Sequence, residues 1–165
     1  MPTPFVFLPL GAQDRTGFAC GTEALDQYFR RQVGQDVRRS LTARFVAVDQ
    51  ATQRIAGFYT LSAAAIALTD LPPDLVTRVP RYPTLPAARL GRLAVALDYK
   101  GQGLGATLLA DAVMRSAASD VAVFALVVDA KDDIAASFYR HHGFTDYASA
   151  PGRLLAPLAH LLPPW

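Results

Sequence analysis

Six consecutive residues, Lys100-Gly101-Gln102-Gly103-Leu104-Gly105, stand between a stretch that reads as a strand and one that reads as a helix. Glycines let the backbone approach a ligand closely and adopt positive φ. The amides of such a loop and of the first helical turn lack intrahelical partners and sit at the positive end of the helix dipole, a geometry that binds diphosphate. Two phosphate chemistries meet on this loop. Gly101, Gly103 and Ala106 satisfy the dinucleotide fingerprint G-x-G-x-x-G/A, with Asp129 at the end of the next strand. Against a dinucleotide, little chain follows Ala106, and that fingerprint normally opens the first βαβ unit of its domain. A tight strand-to-helix turn with no ligand also fits these residues, and the second phosphate chemistry needs a further segment of the chain.

The second chemical candidate is Tyr139. A phenol of unperturbed pKa near about 10 keeps its proton at neutral pH and can supply it to a departing anion. Ile134, Ala135, Phe138 and Tyr139 fall on one side of a helix. The spacing puts Phe138 in the core and Tyr139 at the stripe's edge, ring buried and hydroxyl toward a cleft. A half-buried packing tyrosine fits the same spacing. His141 and His142 point to different helix faces and Ser137 has no assignable His–Asp partners, so neither supplies a metal site or a nucleophile. Cys20 reads as a small packing residue. As the only cysteine it excludes an intrachain disulfide and fits a reducing compartment.

The elements that position these groups follow from pattern. At 165 residues, 52% of them apolar, the chain suits one domain over residues 1–165 and is no disordered polymer. Its apolar runs fall short of the ~20 residues that span a bilayer, and the start lacks a signal-peptide pattern. A cytoplasmic location with no membrane contact is the expectation. Strands are predicted at Pro4–Leu10, Arg44–Val48, Arg54–Leu68, Ala87–Leu97, Val121–Val128, Phe144–Tyr147 and Arg153–Leu158. Helices are predicted from Glu23 to about Arg39 behind an N-cap at Thr22, within Asp74–Val79, from the glycine loop to about Ser119, and from Asp133 to His142 between an Asp132 N-cap and Gly143. The result is a mixed α/β layer fold.

Charge is segregated. Residues 28–44 carry Arg30, Arg31, Arg38, Arg39 and Arg44 against Asp36 alone. Residues 76–100 carry Arg78, Arg81, Arg89, Arg92 and Lys100 against Asp98. Two basic segments on an otherwise acidic chain point either to an anionic partner or to solvated arginine faces.

A second segment, Asp132-x-x-Ala135-x-x-Phe138-Tyr139-x-x-x-Gly143-Phe144, joins the glycine loop and the strand Leu90-Gly91-Arg92-Leu93-Ala94-Val95. Together they resemble the GNAT family of N-acetyltransferases over roughly residues 17–160. Lys100 stands where the family's loop carries Gln or Arg. The resemblance implies a GNAT fold: a mixed central β-sheet flanked by helices on both faces, with a splayed strand pair holding acetyl-CoA. It implies that the coenzyme lies along Leu93, Ala94 and Val95, that Lys100, Gly101, Gln102, Gly103, Leu104, Gly105 and Ala106 take its diphosphate, and that Asp132 and Phe138 belong to the same binding surface. An Ala94 or Val95 amide would face the thioester carbonyl, and Tyr139 would protonate the coenzyme A thiolate. No metal is implied.

The attacking amine must be neutral, and Leu93–Leu97 offers no carboxylate base. An α-amine, with pKa near about 8, needs less help than a lysine. Phe18-x-Cys20-Gly21, Leu25-Asp26-x-Tyr28-Phe29, Gly57-Phe58-Tyr59-Thr60-Leu61 and Val127-Val128-Asp129-Ala130 are similar to the toxin branch of the family, although Ala96 replaces its usual Asp. That branch acetylates aminoacyl-tRNA and blocks translation. The resemblance then implies an RNA-facing rim of Arg89 and Arg92, with Arg30, Arg31, Arg38 and Arg39 behind them, a ribbon-helix-helix antitoxin partner, and a homodimer. Arg92 in a buried structural ion pair is the competing reading. An ordinary small-amine or protein N-terminal acetyltransferase, or a non-catalytic CoA- or RNA-binding regulator, are the alternative functions.

Overall fold

A computed structural model describes residues 5–32, 41–148 and 150–162. Seven strands form one mixed sheet in the order β1-β2-β3-β4-β5-β7-β6. They are β1 (Phe5–Pro9), β2 (Ala43–Asp49), β3 (Ile55–Ala67), β4 (Thr84–Val95), β5 (Ala125–Asp129), β6 (Thr145–Asp146) and β7 (Arg153–Pro157). The helices are α1 (Glu23–Gln27), α2 (Pro73–Val76), α3 (Leu104–Ala117), α4 (Asp133–His141) and α5 (Leu158–Leu161). No helix among the described residues is long and apolar enough to cross a membrane.

The chain divides into two compact units, Met1–Ser62 with Gly91–Ala112, and Ala63–Leu90 with Val113–Trp165. In the first, β1 pairs antiparallel with β2, and β2 with β3 across a bulge at Ala47/Val48. Phe18, Phe29 and Phe58 fill its core, the last two stacked with centroids 4.2 Å apart. Leu104, Leu108 and Leu109 on α3 are buried at the spacing expected of an amphipathic helix. In the second unit β5 pairs antiparallel with β7, and Ile66, Leu75, Leu85, Val127 and Leu155 form the core. The parallel β4–β5 ladder runs from Ala87↔Ala125 to Leu90↔Val128, and β4 continues past it to Val95.

Four expectations are corrected. The helix from Glu23 is regular only to Gln27 and then widens into a π-helical turn, Tyr28–Gln32; the rest of the predicted helix, with Arg38 and Arg39, lies outside the described residues. Thr22 occupies the N-cap position, but its side chain makes no cap hydrogen bond. Buried Asp26 instead accepts from the Cys20 amide at 2.8 Å. The strand predicted from Val121 starts only at Ala125: Val121 is 74% exposed, while Ala125–Val128 are buried as a strand covered on both faces requires. The helix expected within Asp74–Val79 is a single turn that begins at Pro73, where the missing amide of proline is harmless.

Candidate active site

The glycine loop has the backbone that diphosphate binding requires. Gly101 and Gly103 take φ of 81° and 77°, in the left-handed region that residues with a β-carbon avoid. A β-carbon built on either would meet nothing within 4 Å, so the space in front of the loop is open. Intrahelical bonding in α3 begins with the Thr107 amide and the Gly103 carbonyl at 3.2 Å, which leaves the amides of Leu104, Gly105 and Ala106 as the helix's free N-terminal donors. Lys100 Nζ turns toward the loop before α1, 3.8 Å from where a β-carbon on Gly21 would stand.

Two glycines elsewhere set the strands that lead to this loop. A β-carbon on Gly57 would lie 2.9 Å from both the Ala94 carbonyl oxygen and a Leu108 methyl, so only glycine lets β3 pass this close to β4 and α3. A β-carbon on Gly91 would lie 2.9 Å from Thr60 Oγ1. That hydroxyl accepts from the Arg92 amide at 3.0 Å, a side chain taking part in the backbone ladder just where β4 enters its last stretch. Beyond it Ala94 is buried, whereas Leu93 and Val95 keep partial exposure, in the alternation of a strand with one open face.

Asp132 caps α4 as expected, accepting from the Ala135 amide at 2.8 Å. The helix is rotated relative to the predicted stripe. Ala136 and Tyr139 are buried, Phe138 is half-buried and Ile134 is 83% exposed, so Tyr139 is the core-facing member of the pair and Phe138 the edge. Tyr139 packs edge-on against Phe144 at 5.4 Å and Phe138 at 5.2 Å. Burial pushes its phenol well above the ordinary tyrosine value, so the proton is held firmly through neutral pH. No side chain or carbonyl among the described residues hydrogen-bonds its hydroxyl. His142 is pushed down by burial and by His141, and no cluster of metal-ligating residues exists among the described residues. Burial raises the Cys20 thiol, which suits a packing role.

The arginines separate into two kinds. Arg89 is paired with Asp129, whose other oxygen faces Arg153 at 3.4 Å. Arg30 donates from Nε to the Phe18 carbonyl at 2.8 Å and so braces the loop before α1. Arg31 is exposed. Arg92 is exposed and has no ion pair among the described residues, and its guanidinium lies over the buried Tyr28 ring, 3.6 Å from the centroid.

A profile of the acetyltransferase (GNAT) domain matches residues 40–146. The chain belongs to the GNAT acetyltransferase family. As a GNAT acetyltransferase the chain takes acetyl-CoA, not a nicotinamide, as its co-substrate. A tRNA-acetylating toxin from Mycobacterium tuberculosis is 33% identical over 146 residues, covering 87% of this chain and 86% of the relative. The solved structure of AtaT complexed with acetyl-methionyl-tRNAfMet superposes with a TM-score of 0.85 at 28% identity, covering 94% of this chain and 96% of that one. AtaTR bound with acetyl-CoA gives 0.80 at 27% identity, with 95% of each chain covered. A variant of the AtaT toxin bound to the C-terminus of the antitoxin AtaR gives 0.79 at 25% identity, again with 95% of each covered. Some residues around these strands take their place from contacts that no local pattern shows. Thr60 and Gly57 act through close approaches set by tertiary structure. In the sequence Arg44 is one member of a basic segment, and Arg15 lies outside both such segments.

Proposed function

We propose that the chain transfers the acetyl group of acetyl-CoA to the α-amino group of aminoacyl-tRNA and so stops translation as the toxin of a toxin–antitoxin pair. The observation that carries the reading is likeness along almost the whole length to a relative named for that activity, joined to the open glycine loop and the protonated phenol described above. The coenzyme supplies an activated thioester acyl group. The amides of Gly101, Gly103, Leu104, Gly105 and Ala106 donate to its diphosphate, with Lys100 and Gln102 on the same loop. Leu93, Ala94 and Val95 offer strand backbone to its amide-bearing arm, as an added β-strand would use it, and an amide of Ala94 or Val95 polarises the reacting carbonyl.

Asp132 keeps α4 capped, and Phe138, only half-buried, offers apolar surface to the coenzyme. Tyr139 gives its proton to the sulfur as the thioester C–S bond breaks. No carboxylate base stands on Leu93–Val95, which suits an aminoacyl ester whose amine is largely neutral near pH 8. The same proposal includes a cytoplasmic location, a ribbon-helix-helix antitoxin as partner, a homodimer and a single catalytic domain. Incubation with labelled acetyl-CoA and bulk charged tRNA tests this: label on the aminoacyl group supports it. Label only on free amines or protein N-termini assigns the chain to those acceptors instead.

A further inference from the structure

Arg92 holds its guanidinium carbon 3.6 Å over the centre of the Tyr28 ring, which is 2% exposed and stands in the π-helical turn. Stacking of this kind occupies the face of the guanidinium and leaves its rim of N–H donors for a partner in the plane. Two more arginines, Arg44 and Arg15, stand in the same compact unit. Arg44, on β2, stands opposite Thr60 of β3, whose hydroxyl accepts from the Arg92 amide, and burial together with the like charge of Arg15 holds its guanidinium below the usual range. Its Nε is buried without a hydrogen-bond partner. Arg15, from the loop before α1, reaches the Phe29 carbonyl with one nitrogen at 3.4 Å, which leaves its other donors unused there.

No carboxylate pairs with Arg15, Arg44 or Arg92 among the described residues. The ion pairs lie elsewhere, at Arg54–Asp98, Arg89–Asp129–Arg153 and Arg140–Asp146. The nearest acid in sequence to Tyr28, Asp26, is buried and occupied by the Cys20 amide. Like charges held together without a counter-charge destabilise the fold until an anion joins them. Three forks arriving from a loop, β2 and β4 need more acceptor oxygens than one carboxylate has, whereas a phosphate diester offers two unesterified oxygens and its neighbours along the backbone more. Of the chain's 16 basic residues only Lys100 and Lys131 are lysine, which fits planar recognition of phosphate.

We propose that Arg92 on the Tyr28 ring, Arg15 on the Phe29 carbonyl and Arg44 opposite Thr60 together grip the sugar–phosphate backbone of the RNA acceptor. This rests on the aminoacyl-tRNA reading above and relocates its RNA contact, because Arg89 and Arg30 are engaged within the protein. An uncharged acceptor-stem RNA, titrated by fluorescence anisotropy at rising KCl, tests it with Arg15→Gln, Arg44→Gln and their double variant. Each single change should weaken binding about tenfold at low salt and flatten the dependence of log affinity on log salt by roughly 0.7–0.9 per lost phosphate contact. The double variant should fall short of the product of the two if they share one phosphate. Circular dichroism checks each fold; should Arg44→Gln unfold, Arg15→Gln, on a loop, carries the test.

RNA affinity and salt slope unchanged in the folded variants would overturn the proposal, and so would a loss of affinity confined to polyglutamate, which would assign the cluster to an acidic peptide. Acetyl transfer to charged tRNA by the unaltered chain is measured alongside. If it is absent, the aminoacyl-tRNA reading fails and this proposal with it; if it is present while the variants bind RNA normally, only the arginine grip fails.

Discussion

The Tyr99 hydroxyl donates to Asp49 Oδ2 at 2.7 Å, both residues being buried. Tyr99 immediately precedes the glycine loop, and Asp49 ends β2, where its other oxygen takes the Ala51 amide at 2.9 Å. One carboxylate thus ties the start of the loop to the β2–β3 turn. The Tyr99 hydrogen bond is the first cause of a lowered Asp49 pKa. A carboxyl depressed in the folded state stabilises above its unfolded value near about 4, and that contribution is lost as pH falls through the folded value. Tyr99→Phe should therefore lower Tm by a few degrees at pH 7, with the gap to the unaltered protein closing as the pH is taken toward 3. It should also raise KM for acetyl-CoA with less effect on kcat. Thermal melts across pH and steady-state kinetics decide both.

Tyr139→Phe removes a hydroxyl that no group among the described residues hydrogen-bonds and keeps the ring packing against Phe138 and Phe144. Acetyl-CoA affinity by calorimetry should stay within about twofold, while acetyl transfer falls by roughly 10²–10⁴, the usual range for a positioned acid. Because burial raises this phenol, the rate should show no loss from its deprotonation below about pH 10. A descending limb centred near pH 8 that vanishes in the variant would contradict the shift.

Gly57→Ala drives a methyl to 2.9 Å from the Ala94 carbonyl, a backbone atom without freedom to move. The expected destabilisation is about 1–3 kcal/mol, measured by chemical unfolding. Gly91→Ala meets a side chain instead, Thr60 Oγ1. The double variant Gly91→Ala with Thr60→Ala should therefore lose less stability than the two single changes added together.

Asp132→Ala should cost about 1 kcal/mol through loss of the α4 cap, and Asp132→Ser should restore most of it. If Asp132 also meets the coenzyme, Asp132→Ser will recover stability without recovering acetyl-CoA affinity. Paired unfolding and calorimetry separate the two roles.

The layer order, the glycine loop and the cap of α4 were legible because each rests on local chemistry: periodicity, positive φ and a short polar side chain ahead of an apolar run. Misreadings arose where tertiary contacts decide. Val121–Phe124 is as apolar as the strand it precedes, but the β4–β5 ladder begins only at Ala125. Ile134 marked the wrong face of α4, since a nine-residue helix buries two positions and Ile134 is not one of them. Arg89, Arg92 and Arg30 look alike in sequence; an aspartate, a tyrosine ring and a carbonyl set them apart, and each partner is distant along the chain. Gly57 sat inside a motif, yet its necessity comes from a carbonyl and a methyl on two other elements.

The π-helical turn at Tyr28–Gln32 bears on how knowledge moves between relatives. A helix that gains one residue in a turn rotates everything after it by about 100°. Against a homologue with a regular helix at this point, an alignment kept in register by sequence alone will match side chains that face different directions. Substitutions borrowed across that boundary must carry the whole widened turn with them, or the exchanged residue will arrive on the wrong side.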